Sequence, residues 1–203
     1  ALLTPIAKAF FTDLGFESTV AGQQVFGGHG FIREWGQEQL VRDTRITQIY
    51  EGTNGIQAMD LLVRKVVASK GEMLQTFVNE VKNYIADNDA DNLQEFNVPL
   101  SDAIKDLESL TATVLEQSIS DVNMLGTAAN DYLHVFGYTA MAYIWARMAN
   151  TAISKNDESD SYYESKVRTA RYYFSRILPR RLSLMATAQQ SSAVLFDIED
   201  ELF

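Results

Sequence analysis

The sequence predicts an all-α protein: a helical bundle over residues 1–70, followed by a second antiparallel helical bundle over residues 71–203. Three observations carry that expectation. Apolar side chains recur at three- and four-residue spacing along most of the chain. No stretch alternates apolar and polar residues for long enough to read as a strand. With 46% hydrophobic residues and only three prolines, the chain has both the material for a core and few interruptions to helix.

Taken in order, Thr4-Pro5 reads as a helix start, with Thr4 as N-cap and Pro5 at the first helical position, where its missing N–H costs nothing. Ile6, Phe10, Leu14 and Val25 mark the apolar face, and Gly27-Gly28 ends the helix. Residues 30–36 read as a turn-rich connection and 36–46 as a short helix. After a loop around Tyr50-Glu51-Gly52, Thr53 caps a helix over about 54–68 that carries Ile56, Met59, Leu62, Val63 and Val66. In the second half, Phe77, Val78, Val81, Tyr84 and Ile85 give a helix over about 71–86. Asp87 to Pro99 has no periodicity and reads as a loop, with Ser101 capping the helix that follows. A long helix spans about 121–154 and is broken by the polar cluster Asn156–Asp160. The last helical segment, 161–190, is rich in aromatics and kinks near Pro179.

Charge and cysteine content narrow the function classes. Lys and Arg number 17 against 27 Asp and Glu, a formal net charge of −10, which argues against a nucleic-acid partner. All of that excess lies in 71–203, because residues 1–70 hold seven basic and seven acidic side chains. There is no cysteine and only two histidines, so thiolate chemistry is excluded and no metal centre is expected. No apolar run approaches the roughly 18 residues of a membrane span, and the expectation is a soluble cytoplasmic protein.

The densest segment chemically is Gln23–Gln57, which holds a glycine cluster, an Arg-Asp pair and a carboxylate on a Tyr-Glu-Gly-Thr corner. Gly27-Gly28-His29-Gly30 reads either as a helix cap and reversal or as a backbone approach to a ligand phosphate. Glu51 reads either as a solvated loop carboxylate or, if partly buried between apolar helices, as a general base. His29 reads as a loop residue and His134 as core-edge. Arg42, Asp43 and Arg45 are expected to tie the short helix to its neighbours by ion pairs.

In combination these elements are far more specific. The order Gln-x-x-Gly-Gly-x-Gly-Phe, then Arg-Asp, then Ile-Tyr-Glu-Gly-Thr-x-x-Ile-Gln resembles the C-terminal helical domain of acyl-CoA dehydrogenases, over about residues 2–68. The remainder is similar to the extra helical module of a longer bacterial branch of that family, on Lys166-Val-Arg-Thr-Ala170-Arg171 followed by Phe174. The resemblance implies an FAD-dependent enzyme that desaturates acyl-CoA thioesters between Cα and Cβ, with Glu51 as the α-proton base and Tyr50 and Gly52 beside the substrate. It implies that Gln24, Gly27 and Gly28 contact FAD bound mainly by a neighbouring subunit, and that Thr53 contacts FAD on its own subunit. Gly55 stands where many members have glutamine, which places a flavin contact there in doubt. A homodimer or higher homo-oligomer follows from the shared cofactor, with an electron-transfer flavoprotein as electron acceptor.

Neither of the family's other two domains is read in this sequence. The expectation is therefore a C-terminal piece of a longer enzyme, inactive by itself, with the apolar face of residues 6–25 left exposed. The alternatives are an acyl-CoA oxidase of the same fold, or a non-catalytic helical interaction module that has kept the motif.

Overall fold

The computed structural model describes residues 1–155 and 161–202, and every regular element among them is helical. The helices are α1 (Thr4–Val25), α2 (Gly28–Phe31), α3 (Gln37–Arg45), α4 (Asn54–Met59), α5 (Glu72–Asp87), α6 (Gln94–Gln117), α7 (Met124–Ser154), α8 (Ser161–Tyr172), α9 (Arg180–Ala188) and α10 (Ala193–Phe196). Two of them continue as π-helix, α4 through Asp60–Val67 and α8 through Tyr173–Ile177.

The fold is organised around α7. Its middle turns, Tyr132–Leu133 and Val135–Thr139, are buried on every face, which only a helix surrounded by others can sustain. It is surrounded by α1, α4, α6, α8 and α9, and α5 closes the bundle through Phe77, Val78 and Val81. The small residues Ala128, Ala142, Ala146, Ala149 and Ala152 let these helices approach closely. Ile6, Ala9 and Phe10 of α1 and Leu61, Leu62 and Val66 of the π segment belong to the same apolar core as α6 and α7. Polar bonds pin the layers. Arg181 donates to Asp106 at 2.7 and 3.0 Å, Tyr173 donates to the Tyr138 carbonyl at 2.7 Å, and the hydroxyls of Thr111 and Tyr132 pair at 2.9 Å. Burial pushes the Tyr132 and Tyr173 hydroxyls well above the usual phenol range, so both stay protonated.

Four expectations are corrected. Thr4 is the first helical residue rather than a cap; Leu3 holds the cap position and makes no side-chain cap bond. The loop expected over Asp87–Pro99 extends only to Leu93, because α6 begins at Gln94 and runs through Pro99, which also leaves Ser101 inside the helix. The reason is burial: Leu93, Phe96 and Leu100 are at most 5% exposed. At about 1.5–3 kcal/mol each they outweigh the roughly 3 kcal/mol cost of an interior proline. The face of α1 is exposed only in part: α7 covers Ile6 and Phe10, whereas Phe11 is 52% and Val25 86% exposed. Thr53 does occupy the cap position of α4, but its hydroxyl makes no cap bond. The helix-breaking cluster Asn156–Asp160 lies outside the described residues.

Phe10 of α1 packs on Gly137 of α7, where a Cβ would come within 2.5 Å of the Phe10 ring at its attachment carbon. The ring also meets Tyr138 edge-on at 4.9 Å. Phe10 cannot yield without leaving the core. Gly137→Ala should therefore lower stability by about 1–2 kcal/mol, the overpacking cost exceeding the helix-propensity gain. A urea unfolding curve with a lower midpoint and unchanged slope is the expected result; an unchanged or raised midpoint would show that the helices can separate freely.

Candidate functional site

The chain leaves α3 through a short 3-10 turn, Ile46–Gln48, and turns at Tyr50–Thr53 before entering α4. The corner is tight because two consecutive residues are left-handed, Glu51 with φ 54° and Gly52 with φ 84°. Glycine accepts that region readily, whereas a glutamate there costs on the order of 1–2 kcal/mol. Such strain persists only where surroundings enforce it. The Gln57 side chain, from the first turns of α4, donates to the Glu51 carbonyl at 3.1 Å. A Cβ on Gly52 would meet that same amide at 3.1 Å. Among the described residues nothing accepts from the Glu51 N–H.

Both arms of the corner are tied to α1 through one carboxylate. Asp13 accepts from Gln48, three residues before Glu51, and from Asn54, three residues after it, both at 2.6 Å. Asn54 also takes the Lys8 ammonium at 2.6 Å and donates to the Thr12 hydroxyl at 3.0 Å. On its other oxygen Asp13 faces Nε2 of His134, from α7, at 3.0 Å. Burial pushes the Asp13 carboxyl up, but bonds from His134, Gln48 and Asn54 outweigh it and hold the group below the usual carboxylate range. For His134, burial pushes the imidazole down, while its bonds to Asp13 and the Asn130 carbonyl and the charges of Asp13 and Asp131 raise it above the usual value.

The glycine cluster forms a separate feature at the far end of α1. Gly27 is left-handed at φ 60°, and Gly28 opens the single helical turn of α2. Gly30 is the one the packing requires, since any side chain would collide with the Gln23 carbonyl and the Phe26 Cβ. A Cβ on Gly27 or Gly28 would meet nothing within 4 Å. His29 lies in this turn, edge-on to Trp35 at 5.0 Å, rather than in a loop.

The predicted residues thus fall into two groups. Tyr50, Glu51, Gly52 and Thr53 share one exposed corner, and Gln24, Gly27 and Gly28 share another exposed surface. Gln24 lies eleven positions beyond Asp13 on α1, about 16 Å along the helix. Gly55 lies in the first turn of α4, with open space where its Cβ would be. The expected partial burial of Glu51 is not found; the corner projects from the bundle, and Glu51 is exposed. Of the residues expected to form ion pairs around α3, Asp43 accepts from Gln39 on the same helix, and Arg45 donates to Gln48 and lies over the Phe16 ring; the ion pair at α3 is instead Glu38 with Arg33, at 3.9 Å. Sequence reasoning missed Asp13, Asn54 and Gln57 as supports of the corner. Gln57 had one signal, its place at the end of the motif, whereas Asp13 sits without distinction on an amphipathic helix.

Comparison with known proteins accounts for nearly the whole chain. The family model described as "Acyl-CoA dehydrogenase, C-terminal domain" matches residues 2–66, and that described as "Acetyl-CoA dehydrogenase C-terminal like" matches residues 77–199. A butyryl-CoA dehydrogenase of Syntrophomonas wolfei is 26% identical over 98% of this chain and 34% of its own length. The broad-specificity linear acyl-CoA dehydrogenase FadE5 of Mycobacterium tuberculosis is 25% identical over 100% of this chain and 35% of its own length. A 3-methylmercaptopropionyl-CoA dehydrogenase of Ruegeria pomeroyi is 46% identical over 39% of this chain and 13% of its own length. The chain spans about a third of the length of the first two relatives.

The ionic pair gives a pH dependence whose sign follows from the two shifts. His134, raised on folding, adds stability that is complete below its unfolded pKa of about 6.5 and lost as pH rises through the folded value. Asp13, lowered on folding, adds stability that is complete above about 3.9 and lost as pH falls through its folded value. The stability difference between the wild-type chain and His134→Gln should therefore be greatest between about pH 4 and 6.5 and shrink above that window. Urea unfolding of both proteins across pH measures it; a difference that grows with pH would contradict the pairing. At the corner, Glu51→Gly should raise stability by up to about 1 kcal/mol, by removing the left-handed strain, in the same assay.

Proposed function

Because this chain belongs to the acyl-CoA dehydrogenase family, we propose that it carries the catalytic base of an enzyme that desaturates acyl-CoA thioesters, with Glu51 removing the α-proton. The observation that supports this most directly is the strained, exposed carboxylate at the tip of a corner held from both sides. A loop with no task at residue 51 would place glycine or asparagine there and be more stable.

The α-proton of a thioester is a weak acid, so a carboxylate can take it only if the charge growing on the carbonyl oxygen is stabilised. Among the described residues the Glu51 N–H has no acceptor, while the Glu51 carbonyl is engaged by Gln57. The same residue can thus offer its N–H to the thioester oxygen and its carboxylate to the α-carbon. Gly52, exposed and without a side chain, leaves room for the thioester, and Tyr50 flanks it. Fixed geometry matters here, because misplacement of a base by about 1 Å costs on the order of 100-fold in rate.

The residues assigned to the cofactor fit it. Gly27 and Gly28 are exposed, with open space above their Cα atoms, so a pyrophosphate can approach their backbone, and Gln24 lies beside them. The Thr53 hydroxyl makes no cap bond and is available to the flavin. FAD, when bound, supplies the acceptor for the hydride that leaves Cβ. The separation of the two groups along α1 is consistent with FAD shared between subunits of a homo-oligomer. Val25, Phe31 and Ile56, all more than 60% exposed, give that assembly apolar surface to bury. An electron-transfer flavoprotein is the proposed acceptor of the electrons.

The test is an anaerobic visible-absorbance titration of the whole protein with acyl-CoA thioesters, beside Glu51→Gln. The flavin should bleach in the parent, and the variant should react at least about 100-fold more slowly, the scale of a lost general base. Bleaching at equal rates would remove Glu51 from the reaction, and a flavin that no thioester bleaches would remove the activity.

A further inference from the structure

We propose that Asp13 and His134 are positioning residues, through which the long central helix α7 sets the conformation of the Glu51 corner according to the charge on one imidazole. That this tunes catalysis rests on the proposed role of Glu51; the mechanical link stands apart from it.

The geometry fixes the charge state. Nδ1 of His134 lies 2.9 Å from the Asn130 carbonyl, one turn back on α7, and Nε2 lies 3.0 Å from the Asp13 carboxylate. A carbonyl oxygen only accepts, and so does an ionised carboxylate, so both ring nitrogens must donate. The ring is an imidazolium against an ionised Asp13. Removing one proton would turn a bare nitrogen lone pair toward an acceptor oxygen on one side or the other, and one of the two bonds must then open.

If the bond to Asp13 opens, the effect passes directly to the corner. The remaining partners of Asp13 are Gln48 and Asn54, which bracket Glu51 symmetrically in sequence. Asp13 cannot rotate toward a new donor without releasing one of them. The charged groups that face the pair are few. They are Asp131 on the histidine's own helix, Asp13 on α1, and Lys8, which reaches the other end of the Asn54 amide at 2.6 Å. The ring is otherwise walled by Phe10 at 5.9 Å, and its side chain is 17% exposed, so solvent has limited access to replace a broken bond.

Nuclear magnetic resonance on the 203-residue chain tests this without flavin or substrate. His29 is the only other histidine, so the long-range nitrogen–proton spectrum of the His134 ring is readily assigned. The ring is expected to be doubly protonated at pH 6.5. The backbone amide signals of Glu51 and Gly52 should then shift with the same midpoint as the ring when the pH is raised. In Asp13→Asn the ring midpoint should fall and the coupled movement of the corner signals should be lost. A neutral His134 ring at pH 6.5 would overturn the proposal, and so would corner signals that stay still while the ring titrates. The second result would leave the pair a purely structural ion pair. Because the readout is the corner itself, a failure of the acyl-CoA reading would show only in the flavin titration and leave this result unchanged.

Discussion

The crossing of α1 over α7 is the contact on which the arrangement rests, and it has two halves. Phe10 of α1 sits directly on Gly137 of α7, a backbone approach that any side chain on α7 would prevent. One turn along both helices, Asp13 meets His134 at 3.0 Å. The spacing is the same on each partner, three residues, so the apolar and ionic contacts stack on the same pair of faces. The first sets how close the helices come, and the second sets their rotation and register. Such a polar pair adds specificity where apolar packing alone tolerates sliding.

From that crossing the order of the first part follows outward. Asp13 is fixed, so Gln48 and Asn54 are fixed, and the five residues between them must close in the space available. Two left-handed residues are the way it closes, and Gln57 clamps the carbonyl at the apex. Strain at Glu51 is thus supported by hydrogen bonds on both flanks and by a core contact beneath them. The same balance of local cost against tertiary gain recurs in α6, where burial of Phe96 and Leu100 carries the helix through Pro99.

The parts matched by the two family models therefore share one apolar core: Ile6, Phe10 and Leu62 from the first pack with Phe136 and Leu107 from the second. Between the matches, Lys70 and Gly71 turn the chain in left-handed conformations, with the Gly71 N–H donating back to the Val66 carbonyl at 2.9 Å. An ion pair from Arg180 to Glu17, at 2.9 Å, links α9 to α1 on the surface. The second part is thus in contact with the first through packing and through His134.

Helix content, the corner's position and the family motif were legible in the sequence, because each is written in short-range spacing: apolar residues every three or four positions, and Tyr50-Glu51-Gly52-Thr53 ahead of an apolar helix. The sequence by itself determined which residues could form helices and where the carboxylate sits. The start of α6 was not legible, since Pro99 and four acidic residues signal a loop, and only the burial of Leu93, Phe96 and Leu100 overrules them. Nor was the support of the corner, because Asp13 and His134 lie 121 positions apart and neither carries a local mark of its partner. A hydrogen bond between distant positions depends on where packing brings two helices together, so the tertiary structure alone decided how Glu51 is held.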